Sequence, residues 1–291
     1  MDDFRLPDGT QIGYAHLRVG NLTHALAFYR DVLGFREVER DGATVSLSAT
    51  GAHPVHLMLT EQPGARPKPQ RMAGLFHVAI RLPDRAALAR IVQRLLARRW
   101  PLQGAADHGV SEALYLADPD GNGLELYADR PREQWPWSGD GQVAMVTDRL
   151  DMGDLLTLAV DSTSWDGIDP GADIGHVHLQ VSDLARTESF YAGLLGLDVM
   201  QRDYPGALFM AAGGYHHHIG TNTWAGQGAS PAPPDAAGLI AFSLRLPDAR
   251  SWQALVARVQ QAGVLDEQGL NAVQATVHDP DQIAVVLLAG A

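Results

Sequence analysis

The feature that most limits what this chain can fold into is a repeat. Ile12 to Phe35 reads IGYAHLRVGNLTHALAFYRDVLGF, and Ile174 to Leu197 reads IGHVHLQVSDLARTESFYAGLLGL, aligned without a gap. A second pair, GLFHVAIRLPD from Gly74 and GLIAFSLRLPD from Gly238, follows at almost the same offset. Recurrence at a fixed interval means that one folding unit is used again, so the chain is a duplication. A finer recurrence lies inside each half, because Gly74 to Trp100 has the same strand, helix start and apolar helix as Ile12 to Leu33.

Each unit opens with a strand whose residues alternate in character, as in Ile12 to Val19. That period of two defines two faces. A helix follows, with Asn21, Asp84, Asp183 and Asp248 standing where an N-cap starts it and Leu22, Leu26, Tyr29 and Leu33 at helical spacing. Three short strands complete the unit, at 36–40, 44–49 and 55–60 in the first copy. The predicted class is α+β, with four βαβββ modules paired into two curved mixed-sheet domains. Residues 1–130 and 174–291 form the two domains, each from the two modules of its own half, and 131–173 is a linker.

Composition limits the chemistry. The 291 residues include 34 acidic against 22 basic side chains, a formal charge of -12 that opposes binding to nucleic acid or anionic lipid. There is no cysteine, so a metal must be held by nitrogen and oxygen, which draws attention to the twelve histidines. The acidic start MDDFRLPDGT and the lack of a long apolar run predict neither signal peptide nor membrane span, hence a cytoplasmic protein.

If the two modules of a half share one sheet, their first and last strands line a common cleft. In the first half this brings together His16 and His77 from the opening strands, and His56 and Glu125 from the closing ones, when PVHLML is laid on GLELYA. Two histidines and a carboxylate suit a divalent first-row metal. A lone strand histidine is more often packed or solvated than a ligand, but recurrence in separate modules favours the metal reading for His16, His77 and Glu125. In the second half His178 matches His16, whereas Ala241 and Val286 replace His77 and Glu125, so that half has lost the set. The run YHHHIG places His216 and His218 on one face and turns His217 away; hydrogen-bonded support of the fold is the favoured reading, and His176 stays undecided.

The paired, duplicated modules, together with DPDGNGLELY (Asp118 to Tyr127), resemble the vicinal oxygen chelate superfamily of glyoxalases, fosfomycin-resistance proteins and type I extradiol dioxygenases. IGHVHLQVSDL and GGYHHHIGTNTW are similar to the bacterial catechol 2,3-dioxygenase group within it. The resemblance implies an extradiol, ring-cleaving dioxygenase that uses Fe(II), or Mn(II), with a small aromatic diol and O2 as substrates, in a homo-oligomer. It further implies that Tyr115 and His108 hydrogen-bond the substrate or oxygen, and that His56 is the acid/base histidine. In the four-module extradiol enzymes the metal lies in the C-terminal half, whereas here the N-terminal half keeps the ligands. Two other classes stay open. A glyoxalase-like lyase or thiol transferase needs a fourth ligand or an anion pocket. A metal-free protein that sequesters aromatic compounds needs no ligand set.

Overall fold

The computed structural model describes residues 4–159 and 165–290. Module 1 comprises β1 (Gln11–Val19), α1 (Leu22–Tyr29), β2 (Arg36–Asp41), β3 (Thr44–Ser48) and β4 (Leu57–Glu61). Module 2 comprises β5 (Gly74–Leu82), α2 (Arg85–Ala97), β6 (Leu102–Asp107), β7 (Ser111–Ala117) and β8 (Gly123–Asp129). The linker contains α3 (Met152–Thr157), and its residues 160–164 lie outside the described residues. Module 3 comprises β9 (Asp173–Gln180), α4 (Leu184–Glu188), β10 (Asp198–Gln201), β11 (Ala207–Ala211) and β12 (Ile219–Asn222). Module 4 comprises β13 (Gly238–Arg245), α5 (Ala249–Gln261), β14 (Leu265–Asp266), β15 (Gln274–His278) and β16 (Ala284–Leu288).

Inside every module the opening strand is the parallel neighbour of the closing one. Parallel neighbours need a crossover, and here the helix and two antiparallel strands provide it. The helices start where the sequence predicts: Asn21, Asp84, Asp183 and Asp248 each accept a hydrogen bond from the backbone N–H three residues on. Their apolar faces, such as Leu88, Ile91, Val92 and Leu95 of α2, are buried in the core.

The four modules make two eight-stranded sheets, in the orders β14-β15-β16-β13-β1-β4-β3-β2 and β10-β11-β12-β9-β5-β8-β7-β6. Antiparallel β1–β13 and β5–β9 contacts join them. Module 1 therefore pairs with module 4, and module 2 with module 3. This corrects the expected pairing within each half. The repeat aligns the modules without selecting which opening strands become neighbours, since every module offers the same kind of edge.

The halves are held internally by another device. The buried Tyr29 hydroxyl of module 1 donates to Asp118 Oδ2 of module 2 at 3.1 Å, and Tyr191 of module 3 donates to Asp279 Oδ2 of module 4 at 3.0 Å. Asp118 and Asp279 also accept backbone N–H bonds that fix the turns before β8 and β16.

Two outcomes follow from these bonds. Replacing the cap by Asp84→Ala is expected to cost about 1 kcal/mol, read as a shift in the urea midpoint at unchanged slope. Burial pushes the Asp279 carboxyl up to about 6. The folded chain thus holds that proton more tightly than the unfolded one. The resulting stabilisation is full below the unfolded value near 4 and is lost as pH rises through about 6. Asp279→Asn keeps an acceptor for the Asp281 and Ile283 N–H groups, and its stability should fall less than the parent's over that interval in urea titrations.

Candidate metal centre and cavity

The β5–β9 contact places two histidines next to one carboxylate. His77 projects from β5, His176 from β9, and Glu125 from β8, the parallel neighbour of β5. Their ligating atoms lie within 4.8 Å of one another, and all three residues are buried. Glu125 Oε2 is 2.9 Å from His77 Nε2 and 3.1 Å from His176 Nε2. His77 Nε2 nevertheless lacks hydrogen-bond geometry to any partner, and His176 Nδ1 is also unpartnered. Burial opposes the charge on Glu125, but His176 and His77 outweigh it and hold the carboxyl well below its usual range. Burial lowers His176 to about 4, so at neutral pH it is an uncharged ring with a lone pair to offer. Anionic carboxylate and neutral imidazole are the protonation states that a metal requires.

The structure brings together His77 and Glu125 of the predicted ligands and leaves His16 apart. His16 lies on β1 in the other sheet, opposite Ala241, with its Nε2 2.7 Å from Thr60 Oγ1. The reason is strand position. His77 and His176 stand at the same distance ahead of their N-caps, Asp84 and Asp183, whereas His16 stands closer to Asn21 and Tyr14 occupies the matching place. Counting back from the N-caps would have identified His176 instead.

His56 is likewise outside the cavity. It precedes β4, and its Nδ1 accepts from the Ala49 N–H at 3.3 Å. Leu57 pairs with Ala15 as Leu124 pairs with Val78, so the counterpart of Glu125 in module 1 is Met58. His218 is the counterpart of His56 in module 3, and its Nδ1 accepts from the Ala212 N–H at 3.2 Å. Both are structural acceptors ahead of a closing strand.

A cavity of about 290 Å³ opens on Glu125 and His77. Tyr115 and His108, both predicted, lie on its wall as a bonded pair. His108 Nδ1 is 2.6 Å from the Val146 carbonyl and its Nε2 is 2.6 Å from the Tyr115 hydroxyl. Since a carbonyl only accepts, Nδ1 carries the proton, and in the neutral ring Nε2 accepts from the tyrosine. The tyrosine oxygen keeps its lone pairs for a ligand. Burial and the neighbouring Glu125 charge raise the Tyr115 hydroxyl well above its ordinary value, so it stays protonated.

Three features of the cavity escaped the sequence. His217 lines it, its ring centroid 4.0 Å from that of His176 in a tilted contact and 4.9 Å from that of Phe209 edge-on, and burial with the adjoining histidines lowers it well below the ordinary range. His178 also lines it, with Nε2 accepting from Asn222 Nδ2 at 3.0 Å. A Cβ on Gly220 would meet the His178 ring at 3.0 Å, so the glycine at this position makes room for it. Finally, the segment 143–148 of the linker crosses from module 2 to module 3. Val146 N–H donates to the His108 carbonyl, Val143 N–H to the Met200 carbonyl, and Thr147 Oγ1 is 2.9 Å from the Tyr204 hydroxyl. Met145, Val146 and Thr147 thereby become cavity wall.

The family model of the Glyoxalase/Bleomycin resistance protein/Dioxygenase superfamily matches residues 11–126 and 173–287. Catechol-2,3-dioxygenase of Bacillus subtilis (strain 168) is 42% identical over 276 residues, covering 94% of this chain and 95% of that protein. Manganese-dependent 2,3-dihydroxybiphenyl 1,2-dioxygenase of Geobacillus genomosp. 3 is 28% identical over 130 residues, 43% of this chain and 39% of that one. The structure of glyoxalase I from Zea mays is alike in fold, with a TM-score of 0.58 over 97% of this chain and 92% of that one at 19% identity.

The geometry makes a contrast that metal analysis can read. His176→Ala and Glu125→Gln should each lower the bound metal per chain, by at least about tenfold in affinity, while His16→Ala should bind as the parent does. Retention of full affinity by His176→Ala would refute the assignment.

Proposed function

Because the chain belongs to the Glyoxalase/Bleomycin resistance protein/Dioxygenase superfamily, we propose that it is an extradiol dioxygenase that opens the ring of a catechol with dioxygen at a divalent iron held by His77, His176 and Glu125. The observation that supports this best is the convergence of those three side chains beside a cavity that His77 and Glu125 line together with Tyr115, His108, His178 and His217. The donor set fits the metal. Two neutral imidazoles and one carboxylate on one face are the ligands of non-haem iron oxygenases, and the unpartnered His77 Nε2 is a buried lone pair that a cation would satisfy. Manganese takes the same ligands, and the Geobacillus relative is named for it.

Held by His77, His176 and Glu125, the metal would supply Lewis acidity toward the diol and electron exchange with dioxygen. The chain's own side chains handle the protons and the surroundings. His217 is the neutral base on the cavity wall. It accepts a hydroxyl proton as the diol enters and returns that proton to oxygen as the ring opens. Tyr115, whose own proton is committed to His108, accepts a hydrogen bond from the second hydroxyl and so orients the diol. The wall formed by Phe76, Val110, Leu124 and Phe209 excludes water from the reactive species. The volume accommodates one aromatic ring with small substituents.

The test is to load the protein with iron without oxygen, add catechol, then admit air. A yellow ring-fission product is expected, and its absence across several catechols at full metal content would overturn the proposal. His217→Ala should retain the metal and lose about 10²-fold or more in kcat, measured from the same absorbance.

A further inference from the structure

His217 does not stand alone. Its Nδ1 lies 2.8 Å from His216 Nδ1, and His216 Nε2 lies 2.8 Å from Asp129 Oδ1. Asp129 ends β8, four residues beyond the proposed ligand Glu125 on that strand. Its carboxylate also accepts the Tyr215 hydroxyl at 3.0 and 3.2 Å and lies 3.5 Å from an Arg81 nitrogen. The His216 ring is fully buried between Trp135, Tyr127 and Tyr215. We propose that Asp129 and His216 are positioning residues for His217, which hold its ring in one orientation and one tautomer with the Nε2 lone pair free for the substrate.

The protons along this chain of hydrogen bonds can be counted. An ionised carboxylate only accepts, so His216 Nε2 must donate to Asp129. With one proton on each ring, His216 Nδ1 is then an acceptor, and His217 Nδ1 must be the donor to it. The only side-chain hydrogen bond of His217 among the described residues is the one at Nδ1, which leaves the Nε2 lone pair of this cavity-lining ring for a ligand. Adjacent histidines on one strand ordinarily point to opposite faces. Here the segment between β11 and β12 leaves the ladder, as the bend at Tyr215 to His217 indicates, and both rings turn inward to meet. The arrangement parallels one in which a carboxylate orients a catalytic histidine, with a second imidazole inserted between them.

The inference rests on the dioxygenase reading for His217, and its test separates the two. His216→Phe keeps an aromatic ring, somewhat larger than imidazole, and removes both nitrogens. His216→Asn places an amide near the lost Nδ1 and can still accept from His217. On the iron-loaded protein, His216→Phe should lose about 10–100-fold in kcat with the KM for catechol within about threefold, while His216→Asn should recover most of the loss. A role in packing alone predicts the reverse order. Asp129→Ala, at the partly exposed end of the relay, is the second variant and should lose kcat in the same way.

The second readout needs no turnover. In metal-free protein, 15N histidine spectra should show His217 as the single Nδ1–H tautomer, replaced by a mixture in His216→Phe. Unchanged kcat in His216→Phe, or an Nε2–H His217 in the parent, would overturn the proposal. If the iron-loaded parent cleaves no catechol, the dioxygenase reading fails, and the tautomer measurement alone decides whether the relay exists.

Discussion

The antiparallel pairing of β5 with β9 is the contact on which the site depends. It sets His77 of the first half beside His176 of the second, with β8 supplying Glu125 from the neighbouring position. Placing a carboxylate in a fully buried location is costly unless partners compensate its charge. Here His176 Nε2 hydrogen-bonds the carboxylate at 3.1 Å, and His77 Nε2 lies 2.9 Å from the same oxygen with no hydrogen bond of its own, in a strand pair whose register is irregular around His77 and Ala79. Neither half of the chain contains the set. The linker segment 143–148 on the cavity wall, the Tyr115–His108 pair and the His217 relay are all arranged around this seam.

Much of the fold could be read in the sequence because it follows from local rules. Alternating strands, N-cap residues and apolar spacing define the modules, and all four caps occur where the sequence indicates. Glu125 stood out as an acid between leucines, and Tyr115 and His108 through the resemblance. The pairing of modules was not legible, because it depends on which of four similar edges meet. The assignment of His16 went astray for a related reason. A shift of two residues keeps a side chain on the same face of a strand, so periodicity could not distinguish the ligand position from the one beside it. Alternation turns His217 away from the face of His216 and His218, but the segment between β11 and β12 that carries it leaves the ladder.

The second sheet is a useful contrast. At the places of His77, His176 and Glu125 it has Ala241, Tyr14 and Val286, and its own histidine, His16, bonds to Thr60. The same strand order thus occurs in one sheet with the donors and in the other without them. His56 and His218, by contrast, perform the same backbone-capping task in modules 1 and 3 and so belong to the scaffold.

The crossed pairing, module 1 with 4 and 2 with 3, bears on how the two clefts are encoded. Two copies of a two-module chain that exchanged modules with each other would form two equivalent sheets, each built from both copies and related by a twofold axis. Joining the copies end to end gives the present topology. Before such a fusion, any change in the gene would have altered both clefts together. In one continuous chain each cleft is encoded separately, so one can carry the donors while the other carries Ala241, Tyr14 and Val286, and the connecting segment can wall the first alone.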